Sequence, residues 1–422
     1  MICTDGIRKR IDEIDSEISV LFEKRMCLAK TAGEYKIENG LPIYDEKREK
    51  EIFERSSKYV SEDICSLYSE FMEKVLYLSK KYQCSVLSVP DNITVFTENG
   101  CYPVNFGRLN NIPTEFNTKR KCLIVTDSNI PEKYIETLEK QCAFPVTVKF
   151  EAGEKSKNKD TLFMLLEAMI DNSFDRTDCV IALGGGVTGD IAGLSASLYM
   201  RGIDFYNIPT SLLSMVDSSV GGKTAINFSN AKNSVGTFYP PKAVLIDTGL
   251  LEALPEREFN NGMAEIIKTA AVFDKEMFSF LEKSDIQTVK RSIGKIVKKC
   301  IQHKKRIVEE DEHEKGIRKV LNFGHTLGHA IEICDTALLH GECVALGMLY
   351  FSENEAHERL LNVLKKYSLI KETSAKKEEI CERLRHDKKV SGDKISVVRV
   401  KEIGTFTIEK TNINALIEEI LK

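Results

Sequence analysis

The 422-residue chain contains no tryptophan and only ten prolines, and none of its twelve cysteines forms a CxxC pair. Scattered, unpaired cysteines argue against a disulfide framework and against a thiolate zinc knuckle; they read as reduced thiols of a cytoplasmic protein. No apolar run approaches the roughly 18 residues that a membrane span needs. The N-terminus, MICTDGIRKRIDEID, runs directly into a charged helical pattern without an apolar core, so no signal peptide is expected. The net charge of −4 offers no bulk attraction to nucleic acid or to an anionic membrane.

The composition is that of a globular protein, with 42% hydrophobic and 29% charged residues. A chain of this length exceeds a single hydrophobic core, so several domains are expected. Residues 1 to about 84 read as all-helical: Ile7, Ile11, Ile14, Ile18 and Leu21 recur at helical spacing. The pattern continues to about Ile37 and stops at Asn39, Gly40 and Pro42. A second helix is expected from near Tyr44 and a third from about Asp63 to Gln83. Near residue 86 the texture changes, and SVLSVPDNITVF reads as a linker into strands. Strand-like runs such as CLIVTD (122–127), VTVKF (146–150) and CVIALGGG (179–186) then alternate with helical ones, the signature of parallel βαβ units. From about residue 255 the pattern is mainly helical, with a late strand pair near KISVVRV and GTFTIEK. The expected organisation is a helical domain over 1–85, a linker over 86–92, an α/β domain over 93–252 and a helical domain over 253–422.

Three clusters carry chemistry. In CVIALGGGVTGDIAG a buried strand meets Gly184, Gly185 and Gly186 and then a helix start, where backbone N–H groups and the helix dipole can receive a pyrophosphate. Alone, that turn is as consistent with an unliganded βα connection. In LNFGHTLGHAIE, His325 and His329 stand at i, i+4 on one helix face; His340 follows, and Glu265 lies upstream in NGMAEIIK. Any three of these four could hold Zn²⁺ and leave a position open, as a catalytic site requires. Three of the chain's seven histidines fall within sixteen residues, which weighs against isolated core histidines. Third, Lys223, Lys232 and Asn233 sit among glycines and small polar residues, and Lys268, Lys304, Arg318 and the pair Lys388–Lys389 add cations. Each lysine alone reads as solvated surface. Together, beside a metal and a nucleotide turn, they suit a small, strongly anionic substrate.

GGGVTGD, the RGI at Arg201, PTSLLSMVDSSVGGKTAIN, AKN, GMAEIIK, DEHEKGIRKVLNFGHTLGHAIE, HGE and DKK occur in that order, and over about residues 93–420 the chain resembles 3-dehydroquinate synthases. The resemblance implies a Rossmann-like NAD-binding α/β half, a helical half, and a site in the cleft between them. It implies Zn²⁺ or Co²⁺ held by Glu265, His325 and His340, with His329 on the substrate side. The substrate would be 3-deoxy-D-arabino-heptulosonate 7-phosphate, whose carboxylate and phosphate account for the cations. NAD would take a hydride from C5, acidifying the neighbouring C6 proton so that phosphate leaves, and would then return the hydride, acting catalytically; the metal would act as a Lewis acid. Lys223, Asn233, Lys268, Lys304, Arg318, Asn322, His329 and Lys388 would hold substrate, Arg201 would reach in from a partner subunit, and Asp217 would sit near nicotinamide and metal. Asp127, Glu154, Lys155, Gly185, Gly186, Asp190, Thr210, Ser211, Lys223 and Lys232 would contact NAD. Two positions depart from the family pattern: Ala231 stands where glycine is usual, and Ala253 where threonine is usual. The fold also serves polyol dehydrogenases and cyclases of other sugar phosphates.

IRKRIDEID, EKRMCLAKTAGEYK and GLPIYDEKRE in the first 84 residues resemble the all-α class of chorismate mutase, which forms an interlocked helical dimer. Arg25 and Lys36, eleven apart, share a helix face roughly 16 Å apart, whereas Arg8 lies about 25 Å from Arg25 and could join the same site only from a partner chain. The resemblance implies that Arg8 and Arg25 take the carboxylates of chorismate, Lys36 and Gln83 donate to its ether oxygen, Glu49 accepts from its hydroxyl, and Arg48 and Asp45 order the site. Such a site works by positioning and electrostatics alone. On charge pattern alone, this module reads as a charged amphipathic bundle used for dimerisation; a further alternative is a sensor of chorismate or prephenate attached to an active synthase.

Overall fold

The computed structural model describes residues 4–38, 46–86, 92–98, 100–229, 231–385 and 392–421. Asp45, Lys388 and Lys389, with the expected turn at Asn39–Pro42 and the linker residues 87–91, lie outside them. The chain divides into two compact units, 1–96 and 97–422.

The first unit is built on three helices, α1 (Thr4–Glu38), α2 (Glu46–Ser56) and α3 (Cys65–Val86), and ends in strand β1 (Asn92–Thr97). The alanine-poor but glycine- and proline-free stretch from Ile7 to Ala32 lets α1 run 35 residues without a break. Two short 3₁₀ turns lead into α3, which begins two residues later than the periodicity predicts. Helix α1 packs on α3, with Met26, Val75 and Leu76 buried. Toward its N-terminus α1 is not covered: Ile7, Ile11, Ile14, Ile18 and Leu21 are all exposed.

The second unit opens with β2 (Gly100–Phe106), β3 (Lys121–Asp127), α4 (Glu132–Glu139), β4 (Phe144–Phe150), α5 (Lys159–Asp171), β5 (Cys179–Gly184), α6 (Gly186–Leu198) and β6 (Asp204–Pro209). A hairpin follows, β7 (Lys223–Phe228) with β8 (Ala231–Phe238), then β9 (Ala243–Ile246). Within this unit the main sheet runs β2-β9-β6-β5-β3-β4, with every one of these pairs parallel. Its middle strands are buried on both faces, which is why they read as continuous apolar runs: each residue of β5 is buried. The chain leaves β3 toward one edge and β5 toward the other, so the carboxyl ends of these neighbours form a topological switch point, where such sheets bind ligands. One stretch departs from the expected alternation. The glycine- and lysine-rich segment after β6 forms the antiparallel β7–β8 hairpin outside the main sheet.

The helical half comprises α7 (Glu256–Phe273), α8 (Lys275–Lys283), α9 (Ile286–Arg291), α10 (Ile293–Glu310), α11 (His325–Cys334), α12 (His340–Tyr350), α13 (Asn354–Lys366) and α14 (Lys377–Arg385). The late strand pair is β10 (Lys394–Arg399) and β11 (Thr407–Asn412), antiparallel as expected, followed by α15 (Ile413–Leu421). Helix α7 is buried almost continuously from Asn261 to Val272, so its polar residues Glu265 and Lys268 lie in the interior. Glycines let α12 approach both neighbours: a Cβ on Gly347 would lie 1.9 Å from the carbonyl oxygen of Gly324, just before α11, and one on Gly341 2.3 Å from that of Asn261 on α7. These close approaches bring the N-termini of α11 and α12, with their histidines, against the middle of α7.

Candidate active site

Glu265, His325, His329 and His340 converge although 75 residues separate the first from the last. The three imidazoles each present a nitrogen within 4.8 Å of the others. His325 Nε2 lies 3.4 Å and His340 Nε2 3.7 Å from Glu265 Oε1. That oxygen is buried and accepts no hydrogen bond, which a cation between it and the two ring nitrogens would relieve. His325 Nδ1 faces the Phe323 carbonyl at 3.1 Å, so it carries the proton and Nε2 is left as an acceptor. Burial opposes a charge on His340, but the carboxylates of Glu265 and Glu332 on its two sides outweigh it and lift the imidazolium to about 10. The cluster's field thus calls for a positive charge, and its donor set of imidazoles and carboxylate suits zinc or a similar borderline ion. Lys268 pairs with the second oxygen of Glu265.

A π-helical turn, Ser214–Ser218, carries Asp217 beside this cluster. Lys304, buried on α10, donates to both the backbone oxygen and the carboxylate of Asp217, the latter at 2.7 Å. Burial would push the Asp217 carboxyl up; Lys304 and Lys268 prevail and hold it well below the usual carboxylate range. Arg318 is buried with its guanidinium on the Glu312 and Gly221 carbonyls. Lys223 and Asn322 both reach the carboxylate of Glu314. Arg201 is exposed, and both it and Met200 adopt positive φ, 68° and 47°, a strained pair of the kind concentrated at functional sites.

At the switch point the Gly-rich turn is shaped as expected. A Cβ on Gly185 would touch the Ser211 hydroxyl at 3.5 Å and one on Gly186 would meet Ser218 Oγ at 3.0 Å. The N–H of Thr210 donates to the Gly184 carbonyl at 2.9 Å, tying the end of β6 to the turn. Asp127, at the end of β3, accepts from Thr188 Oγ1 at 2.8 Å on the first turn of α6. Asp190 lies on the same helix and pairs with Lys157. Glu154 accepts from Asn227 at 2.8 Å, and Lys155 points to solvent. A small pocket lined in part by Gly186, Asp190, Ser218 and Lys223 lies between the turn and the basic cluster.

Two residues escaped the sequence reading. Lys157 is buried and donates to both Asp190 and Asn233, yet in GEKSKNKD it looks like any lysine of a solvated run. Glu314 joins Lys223 to Asn322, yet in DEHEKG it is one acid among several; its place four residues before Arg318 is the signal that could have singled it out.

In the first unit Arg25 Nη1 and Gln83 Oε1 are both buried without a hydrogen-bond partner among the described residues. Gln83 donates to Ser79, one turn earlier on α3, at 3.3 Å. Glu49 on α2 pairs with Lys80 on α3 at 2.9 Å. Lys36 is half-buried near the C-terminus of α1, and Arg48 is exposed beside Glu51. Arg8 is exposed on the same unbroken helix as Arg25, beside Asp5.

Comparison with known proteins agrees with this division. Family models described as 3-dehydroquinate synthase N-terminal and C-terminal match residues 147–261 and 262–390, and chorismate mutase type II matches residues 7–83. A 3-dehydroquinate synthase of Clostridium acetobutylicum is 42% identical over 309 residues, covering 69% of this chain and 86% of its own length. One of Prochlorococcus marinus is 41% identical over 332 residues, covering 72% and 91%. The chain belongs to the 3-dehydroquinate synthase family, with a chorismate mutase type II segment ahead of it. Among solved structures, 2-deoxy-scyllo-inosose synthase complexed with carbaglucose-6-phosphate, NAD⁺ and Co²⁺ matches with a TM-score of 0.70 at 26% identity, covering 78% of this chain and 99% of its own. The 2-epi-5-epi-valiolone synthase of Streptomyces hygroscopicus with NAD⁺ and Zn²⁺ matches at 0.71 and 27%, covering 78% and 98%. Both domain types place the chain in aromatic biosynthesis. No helix among the described residues is long and apolar enough to cross a membrane.

Proposed function

We propose that this is a bifunctional enzyme that converts 3-deoxy-D-arabino-heptulosonate 7-phosphate to 3-dehydroquinate and phosphate, and rearranges chorismate to prephenate. The observation that carries the first activity is the unsatisfied Glu265 oxygen facing two histidine nitrogens, set beside a buried cationic group of Lys268, Lys304 and Arg318. Glu265, His325 and His340 would hold Zn²⁺ or Co²⁺, and the turn at Gly185 and Gly186 with Asp127, Glu154, Lys155, Asp190, Thr210, Ser211 and Lys232 would hold NAD. When bound, NAD supplies a reversible hydride acceptor and the metal a Lewis acid.

The protein's own groups then bind and orient. Residues 93–252 serve as the NAD half and 253–422 as the metal half. Lys223, Asn233, Arg318, Asn322 and His329 take the substrate's carboxylate, hydroxyls and phosphate, with Lys388 and a partner's Arg201 completing the set. Glu314 accepts from Lys223 and Asn322 and gives way to substrate oxygens. Asp217 keeps Lys304 charged and in place. The wider fold also serves other sugar-phosphate cyclases, so substrate choice needs a direct test. Phosphate release from the heptulosonate phosphate is expected to exceed that from sedoheptulose 7-phosphate by orders of magnitude; the reverse preference sinks the assignment.

For the mutase, the buried Arg25 Nη1 and Gln83 Oε1, unpartnered among the described residues, carry the reading, since a ligand's carboxylate would accept from the first and a ligand's hydroxyl would donate to the second. Lys36, Arg48 and Glu49 flank them, with Asp45 from the segment before α2. Arg8, some 25 Å along α1 from Arg25, serves the site of a second copy. The exposed stripe of Ile7, Ile11, Ile14 and Ile18 is the face on which that copy packs, making the protein a homodimer. The ten cysteines whose side chains are described are free, in keeping with a cytoplasmic location. Turnover of chorismate by the full-length protein tests this half: binding without turnover makes the helical module a sensor.

A further inference from the structure

Helix α11 presents a second acid to the metal cluster. Glu332 follows His325 by seven residues and His329 by three, so all three share one helix face. Glu332 Oε2 lies 3.3 Å from His340 Nδ1. Its other oxygen, Oε1, lies 3.0 Å from the ammonium of Lys232 on β8. One carboxylate therefore holds a metal-side imidazole with one oxygen and the β7–β8 hairpin with the other. The line continues on the hairpin side: Asn233, next to Lys232, accepts from Lys157, which pairs with Asp190 on the helix of the Gly-rich turn. It continues on the metal side through His340 Nε2 to Glu265 Oε1.

We propose that Glu332 is a positioning residue that couples metal binding to NAD binding. Accepting from His340 Nδ1–H fixes the imidazole's tautomer and rotation and presents Nε2 toward Glu265. The same carboxylate anchors Lys232, so the hairpin is set in place only when the acid is correctly turned. A metal that fixes His340 fixes Glu332, and through it Lys232; a cofactor that orders the hairpin does the converse. Linkage requires that the two ligands raise each other's affinity by one common factor. The inference rests on the metal and NAD sites proposed above and goes beyond them in assigning the element that joins them.

The test uses full-length protein stripped of metal. Zn²⁺ affinity is measured by competition with a chromophoric chelator, with and without NAD, and the visible spectrum of bound Co²⁺ reports ligand geometry without turnover. In the wild type, NAD is expected to tighten Zn²⁺ binding severalfold. In Glu332→Gln, Zn²⁺ affinity should fall by about 10–100-fold, the usual effect of losing such a partner, the Co²⁺ spectrum should change, and the NAD effect should vanish. Glu332→Asp separates coupling from folding: it keeps the charge on a shorter arm, so it should recover part of both the Zn²⁺ affinity and the NAD effect that Glu332→Gln loses, with a melting temperature within a few degrees of wild type for both variants. Glu332→Gln with wild-type affinity and an undiminished NAD effect overturns the inference while leaving both sites standing. A wild type that binds neither Zn²⁺ nor NAD overturns the underlying site assignment together with it.

Discussion

Replacing Arg25 by Met should abolish mutase turnover without weakening the fold. Arg25 is half-buried on α1, and burial draws its guanidinium down from the usual arginine range, opposed only by the phenol of Tyr68. No ion pair to it occurs among the described residues, and its Nη1 is buried without an acceptor. The folded protein therefore carries the desolvation of a charge with nothing opposite, an arrangement that makes sense only for an anionic ligand. Met keeps the apolar stem and removes the charge, so unfolding free energy should stay level or rise by up to about 1 kcal/mol. Loss of one preorganised charged donor costs catalysis about 3–4 kcal/mol, so kcat/KM for chorismate should fall by about 10²–10³. Loss of chorismate absorbance reads the activity, guanidinium unfolding reads the stability, and phosphate release by the synthase half serves as an internal control. Turnover within about threefold of wild type, or a loss of activity that only follows a loss of stability, refutes the reasoning.

The other predictions concern the synthase half. A strong chelator should abolish phosphate release, and added Zn²⁺ or Co²⁺ should restore it; full activity in excess chelator excludes the metal site. Lys304→Met takes the nearest cation from the half-buried Asp217 carboxylate and should cost about 1–3 kcal/mol of stability in urea unfolding, whereas pairing it with Asp217→Asn should recover part of that loss. Gly347→Ala drives a methyl into the Gly324 carbonyl and should destabilise by about 1–3 kcal/mol while lowering Zn²⁺ affinity, because α11 and α12 must part. Asp274 caps α8 through the Met277 N–H and faces Lys299 and His303; burial would raise its carboxyl, but these partners hold it below its ordinary value. A depressed folded value stabilises above the unfolded value, near pH 4, and that gain is lost as pH falls, so Asp274→Ala should cost about 1 kcal/mol at pH 7 and progressively less below pH 4.

What could be read from the sequence divides along physical lines. The parallel sheet was legible because strands buried on both faces leave unbroken apolar runs, as in CVIALG, and the metal cluster because ligand residues at i, i+4 on one helix announce a shared face. Lys157 and Glu314 were not, because nothing local separates a buried, doubly bonded lysine or acid from its solvated neighbours in GEKSKNKD or DEHEKG; tertiary packing alone selects them. The β7–β8 hairpin was missed because its glycines and lysines mask the alternation of a strand. Gln83 shows the opposite case. In the sequence its role comes from the resemblance alone, yet the folded chain buries it against Ser79 with an oxygen left unsatisfied among the described residues. The same signature, a buried polar atom with no partner, marks Glu265 in one unit and Arg25 in the other. Among the described residues Asn105, Asn207, Ser219, Tyr350 and Tyr367 share it, all of them uncharged; what sets Glu265 and Arg25 apart is that the open atom belongs to a charged group, whose burial costs most when nothing lies opposite.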